Sequence, residues 1–130
     1  MTEDANLSLP VGDPIDVEVP LRNEYAAVLR LFVASLGADA GFSIDELDDL
    51  KLAVSEVFSQ MVDAAEVPEA RARIRLTLAD GSLGVHLTGG AASPLALDPL
   101  STAILTSVVD GHHVADDGVR FVKSVTESAA

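Results

Sequence analysis

The chain has 130 residues, which suits one domain around one hydrophobic core. Its 21 acidic and 8 basic residues give a formal charge of −13, which opposes direct binding to nucleic acid or an anionic membrane and suits basic protein partners. Cysteine is absent, which excludes disulfides, thiol catalysis and cysteine metal sites.

Residues 1–13 read as a flexible leader that begins acidic and polar, unlike the basic and then apolar start of a signal peptide. No apolar run reaches the roughly 18 residues of a membrane span. A cytoplasmic location is therefore expected. Ile15, Val17 and Val19 alternate with Asp16 and Glu18, the pattern of a strand with one wet face, and Pro20 ends it. Asn23 is placed to cap a helix that carries Val28, Leu29, Phe32, Val33 and Leu36 on one stripe, with Gly37 as its stop. Ser43 and Glu46 form a Ser-x-x-Glu capping box at the head of a second helix, predicted over 44–65. Leu47, Leu50, Val54, Val57, Phe58 and Met61 recur there at helical spacing and should be buried.

Two strands are predicted over 73–78 and 83–88, turning at Asp80 and Gly81. A loop over 89–97, rich in Gly, Ala, Ser and Pro, leads to Asp98 and Pro99, the cap and first residue of a third helix that reaches about residue 109. A last hairpin pairs 112–115 with 119–125 around Asp117 and Gly118, and 127–130 should be a frayed tail. The order β-α-α-β-β-α-β-β predicts an α+β two-layer sandwich over 14–126. Its sheet would be mixed and mostly antiparallel, with the helices on one face.

The second helix carries the best chemical constellation. Asp49, Glu56, Gln60 and Asp63 share one face, away from the apolar stripe. Taken alone, such a face is ordinarily a solvated one. No metal site is expected from His86, His112 and His113, because successive strand residues point to opposite faces. No serine has an evident base partner for a hydrolase triad.

The run of residues 49–57, D-L-K-L-A-V-S-E-V, resembles a helix of the anti-sigma serine kinases. That family belongs to the ATPase superfamily of gyrase and the histidine kinases, and its helix reads close to L-x-L-A-V-x-E-A-x-x-N-A. The resemblance extends to the order of elements over nearly the whole chain and implies a Bergerat-type ATPase fold. It gives Glu56 the place of the family's general base and Gln60 that of the Mg²⁺-holding Asn. Gln60 is one methylene longer, and Mg²⁺ tolerates little displacement from octahedral geometry.

Further on, Gly89 stands where the family's D-x-G-x-G motif has the Asp that reads adenine, and Ala91 replaces a glycine. Pro99 and Ser101 replace the glycines of the phosphate-facing G-x-G-L motif. Pro99 has no N–H to give a phosphate, and Asp98 adds negative charge beside it. The resemblance, with these departures, implies a degenerate nucleotide pocket in which Gln60, Gly89 and Ser101 are remnants, with no resident cofactor expected. The function it implies is an anti-sigma-type regulator that binds a sigma factor or its antagonist by partner switching. Homodimerisation through the N-terminal strand is a further expectation of the family. The alternative is a Mg–ATP-dependent serine/threonine protein kinase of the antagonist, with Glu56 as base.

Overall fold

The computed structural model describes residues 12–79, 81–90 and 96–126. The expected leader, save its last two residues, lies outside the described residues, as do the expected tail, Asp80 of the first predicted turn and 91–95 of the predicted loop.

Strand β1 spans Pro14–Pro20, with Asp16 and Glu18 exposed and Val19 buried, but the expected dry side closes only towards the strand's end: Val17 is partly buried and Ile15 is 42% exposed. Asn23 does not cap the first helix. The Leu21 N–H bonds to the Ala70 carbonyl, and Asn23–Tyr25 then forms a single 3-10 turn before helix α1, Ala26–Asp39. No side chain caps either start. Leu29 and Val33 are fully buried, but Val28, one residue around the wheel, is 45% exposed, so the apolar stripe is narrower than the sequence implies.

Gly37 does not stop α1 either. It lies inside the helix, buried, where a Cβ would meet Leu47 Cδ2 at 2.7 Å and Leu50 Cδ1 at 3.3 Å. A side chain there would hold the two helices apart. The stop comes at Gly41, with φ of 95°. The Gly41 N–H donates to the Ala38 carbonyl and the Phe42 N–H to the Gly37 carbonyl, the paired bonds of a Schellman motif.

Helix α2 spans Ile44–Ala64 and opens with the predicted capping box: the Ser43 hydroxyl accepts from the Glu46 N–H at 3.1 Å, and Glu46 Oε1 accepts from the Ser43 N–H at 2.8 Å. Leu50, Val54, Val57, Phe58 and Met61 are buried as predicted, and Leu47 is partly buried. Strands β2, Arg71–Ala79, and β3, Ser82–Thr88, form the first hairpin, with Ala79 paired to Ser82. Helix α3, Pro99–Val108, leads to β4, Gly111–Ala115, and β5, Gly118–Ser124. The last turn is one residue earlier than predicted. Ala115 pairs with Gly118, so Asp116 and Asp117 make the turn and Gly118 belongs to β5.

The five strands order as β1-β2-β3-β5-β4, and all four pairings are antiparallel. Ala72, Ile74 and Leu76 of β2, Leu83, Val85 and Leu87 of β3, and Val119 and Phe121 of β5 point to one face. There they form the core with Leu29, Leu50, Phe58 and Leu105 of the helices. The architecture is the predicted α+β two-layer sandwich with the helices on one face of the sheet.

Candidate functional site

The polar face of α2 is not left to solvent. Three of its four residues meet α3 or the strand beside it. Near the C-terminal end of α2, Gln60 Oε1 accepts the Asp98 N–H at 3.3 Å. One turn back, Glu56 Oε1 accepts the Ser101 hydroxyl at 2.9 Å. Near the N-terminal end, Asp49 Oδ2 lies 3.5 Å from Lys123 Nζ, which also donates to the Val108 carbonyl at 2.8 Å. Asp49 therefore sits by the end of α3, while Gln60 sits by its beginning. Helix α3 runs antiparallel to α2 along this polar stripe. Asp63, the fourth residue, is exposed.

The start of α3 follows from local chemistry. Asp98 is extended, and its carboxylate accepts the Ser101 N–H at 2.7 Å. Pro99 occupies the first helical position, where its missing N–H has no intrahelical partner to lose. Hydrogen bonds from Ser101, with smaller ones from Gln60 and Leu100, hold the Asp98 carboxyl below its ordinary pKa. A helix N-terminus is a ready anion site because its first N–H groups lack partners. Here that site is taken from within. The Asp98 N–H goes to Gln60, the Ser101 N–H goes to the Asp98 carboxylate, and Pro99 has none.

The four predicted site residues do not all converge. Glu56, Gln60 and Ser101 meet at the α2–α3 contact. Gly89 lies after the end of β3, with φ of 116°. A Cβ there would stand 2.5 Å from the Arg71 carbonyl oxygen. Gly90 follows at φ of 88°, and a Cβ on it would run into Leu21 Cδ1. The pair is thus fitted against the start of β2, and a side chain at position 89 has no room.

Lys123 is the site residue that sequence reasoning missed. It occupies the core-facing register of β5 after Val119 and Phe121 and is only 8% exposed. Its signal was available, since a lysine continues an apolar alternation. Its cation lies beside the C-terminal carbonyls of α3, where the helix dipole favours positive charge. Among the described residues, no cluster of three or more His, Asp or Glu side chains is arranged to hold a metal ion. His112 pairs with Phe121 and His113 with Arg120, so the two histidines do point to opposite faces of the sheet. No helix among the described residues is long and apolar enough to cross a membrane.

Comparison with known proteins agrees with this architecture. The chain is 34% identical over 53 residues to the serine-protein kinase RsbW of Bacillus cereus (strain AH187), and equally to those of Bacillus thuringiensis (strain Al Hakam) and Bacillus mycoides (strain KBAB4). The matched segment covers 41% of this chain and 33% of each relative. The family described as the histidine kinase-like ATPase domain matches residues 19–126, a span that runs from the end of β1 past the end of β5. By that match and by its two-layer fold, the chain belongs to the histidine kinase-like ATPase domain family.

Proposed function

We propose that this protein is an anti-sigma-type regulator that acts by partner switching, binding a sigma factor or its antagonist without phosphoryl transfer. The resemblance of residues 49–57 to the helix of the anti-sigma serine kinases supports the regulatory class. One observation carries the non-catalytic reading. The groups that would serve catalysis and phosphate binding are spent on holding α3 against α2. Phosphoryl transfer rests on positioning and charge neutralisation. A base that accepts Ser101, an amide oxygen that accepts Asp98, and a helix start filled by its own carboxylate supply neither. The residues present do not fit Mg–ATP.

The kinase reading has two observations in its favour: Glu56 keeps the family's carboxylate, and the relatives are named serine-protein kinases. Calorimetric titration of Mg–ATP into the full chain separates the two. The regulator reading expects no binding at millimolar nucleotide and co-purification of a sigma factor or its antagonist from the native host. Micromolar affinity, with phosphate appearing on a seryl side chain of the captured partner, overturns it. Homodimerisation through β1 belongs to the same proposal. It requires the edge strand to pair despite a proline at each end, and sedimentation at increasing concentration tests it.

A further inference from the structure

The face of the sheet away from the helices has a chemistry unlike the rest of the molecule. Strand alternation puts Arg71, Arg73 and Arg75 opposite the buried Ala72, Ile74 and Leu76. The register carries this pattern across the sheet. Asp16 pairs with Arg75, Arg75 with His86, His86 with Arg120, and Arg120 with His113. Each of the five strands thus gives one residue to a single transverse row, and all but Asp16 are Arg or His. Four of the eight Lys and Arg residues of a chain of net charge −13 share this face. Arg73, Arg75, His86 and Thr88 line a cleft of about 180 Å³ in it.

Strand β1 shows what these arginines accept. Glu18 and Asp16 stand two residues apart on an extended segment. Glu18 Oε2 takes the Arg71 Nε–H at 2.7 Å, with Oε1 3.7 Å from Arg73. Asp16 takes two bonds from Arg75, at 2.8 and 3.0 Å. Alternate residues on a strand are about 6.7 Å apart, so carboxylates at that spacing match arginines at the same spacing on the next strand. The β1 carboxylates reach one flank of the arginine column. On the other flank the row continues through His86, whose Nε2 lies 3.5 Å from Asp117 Oδ1, to Arg120, and the cleft opens between His86, Arg73, Arg75 and Thr88.

We propose that this open sheet face docks an acidic protein segment held extended, with carboxylates at alternate positions, one of them entering the cleft between Arg73, Arg75 and His86. Charge complementarity selects the occupant. The sheet is only roughly 20 Å wide across its five strands. A long polyanion such as nucleic acid, or an anionic membrane, would run past it onto a strongly acidic remainder. A short acidic segment ends within it. The inference does not depend on the regulator reading, because this face lies across the sheet from Glu56 and Gln60.

Fluorescence anisotropy of a short labelled peptide alternating Glu and Thr, titrated with the full chain, tests it. A peptide of the same composition with its glutamates contiguous serves as control. Micromolar binding of the alternating peptide is expected, at least about tenfold weaker in Arg73→Glu and in Thr88→Glu, a loss equal to roughly 1.4 kcal/mol. Arg73 is chosen because its contact with Glu18 is long, and Arg71 and Arg75 still tie β1 to β2. Thr88→Glu places a charge in the cleft without touching those pairs. Thermal melts by circular dichroism identify which variants are folded, and one folded variant suffices. The proposal is overturned by no binding at millimolar peptide, equal binding of the control, equal binding by the folded variants, or tighter binding of a single-stranded oligonucleotide. It is also overturned by a concentration-dependent dimer that Arg73→Glu abolishes, which would make a second copy the occupant.

Discussion

The Ser101 hydroxyl is spent on Glu56. A hydrogen bond to a charged, half-buried acceptor contributes about 1–2 kcal/mol. Ser101→Ala is therefore expected to lower stability by that amount in urea denaturation. An unchanged midpoint would show that Glu56 does not need the hydroxyl. Gly89 makes the opposite case, because restoring the family residue should harm the protein. Gly89→Asp forces a side chain into left-handed backbone and against the Arg71 carbonyl, at a cost of about 2 kcal/mol or more. Titration of the variant with ATP should show no recovered binding, and recovered binding would overturn the claim that the pocket has closed.

Helix α2 is secured at its head by chemistry within one turn of chain, and the same residue reaches across the fold. Glu46 is buried; besides its place in the capping box, its Oε2 accepts the Thr126 N–H at 2.7 Å, tying the segment after β5 to the helix start. Ser43→Ala is expected to cost about 1 kcal/mol, read from a denaturant midpoint. The Ser43 N–H, and then the Thr126 N–H, hold the Glu46 carboxyl down to about 2, from an ordinary value of 4.5. The group binds its proton more tightly in the unfolded chain, so its contribution is complete above the ordinary value and is lost as pH falls towards 2. Stability of the wild type and Glu46→Gln, measured against pH, should differ near neutrality and converge at the acid end. Parallel curves would contradict the assignment. The capping box was legible because cap and partner are three residues apart. The start and stop of α1 were not. The tether of Leu21 to Ala70 sets its entry, and the close approach of α2 explains the glycine inside it.

The molecule as a whole carries a charge of −13, and like charges crowd together when it folds. The exposed pairs Arg71–Glu18 and Arg75–Asp16 oppose this, but such pairs contribute at most about 1 kcal/mol each. Screening should therefore relieve more repulsion than it removes attraction. The melting temperature is expected to rise between low salt and about 0.15 M, where the Debye length falls to about 8 Å. A fall would show that the surface pairs dominate.

The amino-acid sequence by itself determined the order of elements, the cap and core stripe of α2, the cap of α3 and the α+β class. Each rests on periodicity or on partners within a turn of chain. Tertiary structure decided what the polar face of α2 is for. Glu56 and Ser101 are 45 residues apart, and Gln60 and Asp98 are 38 apart. A polar stripe facing water and one facing another helix look alike until the chain brings that helix to it. The basic row across the sheet is hidden for the same reason. Its members are scattered from Asp16 to Arg120, and only the strand register, fixed by which side chains the core must bury, sets them side by side.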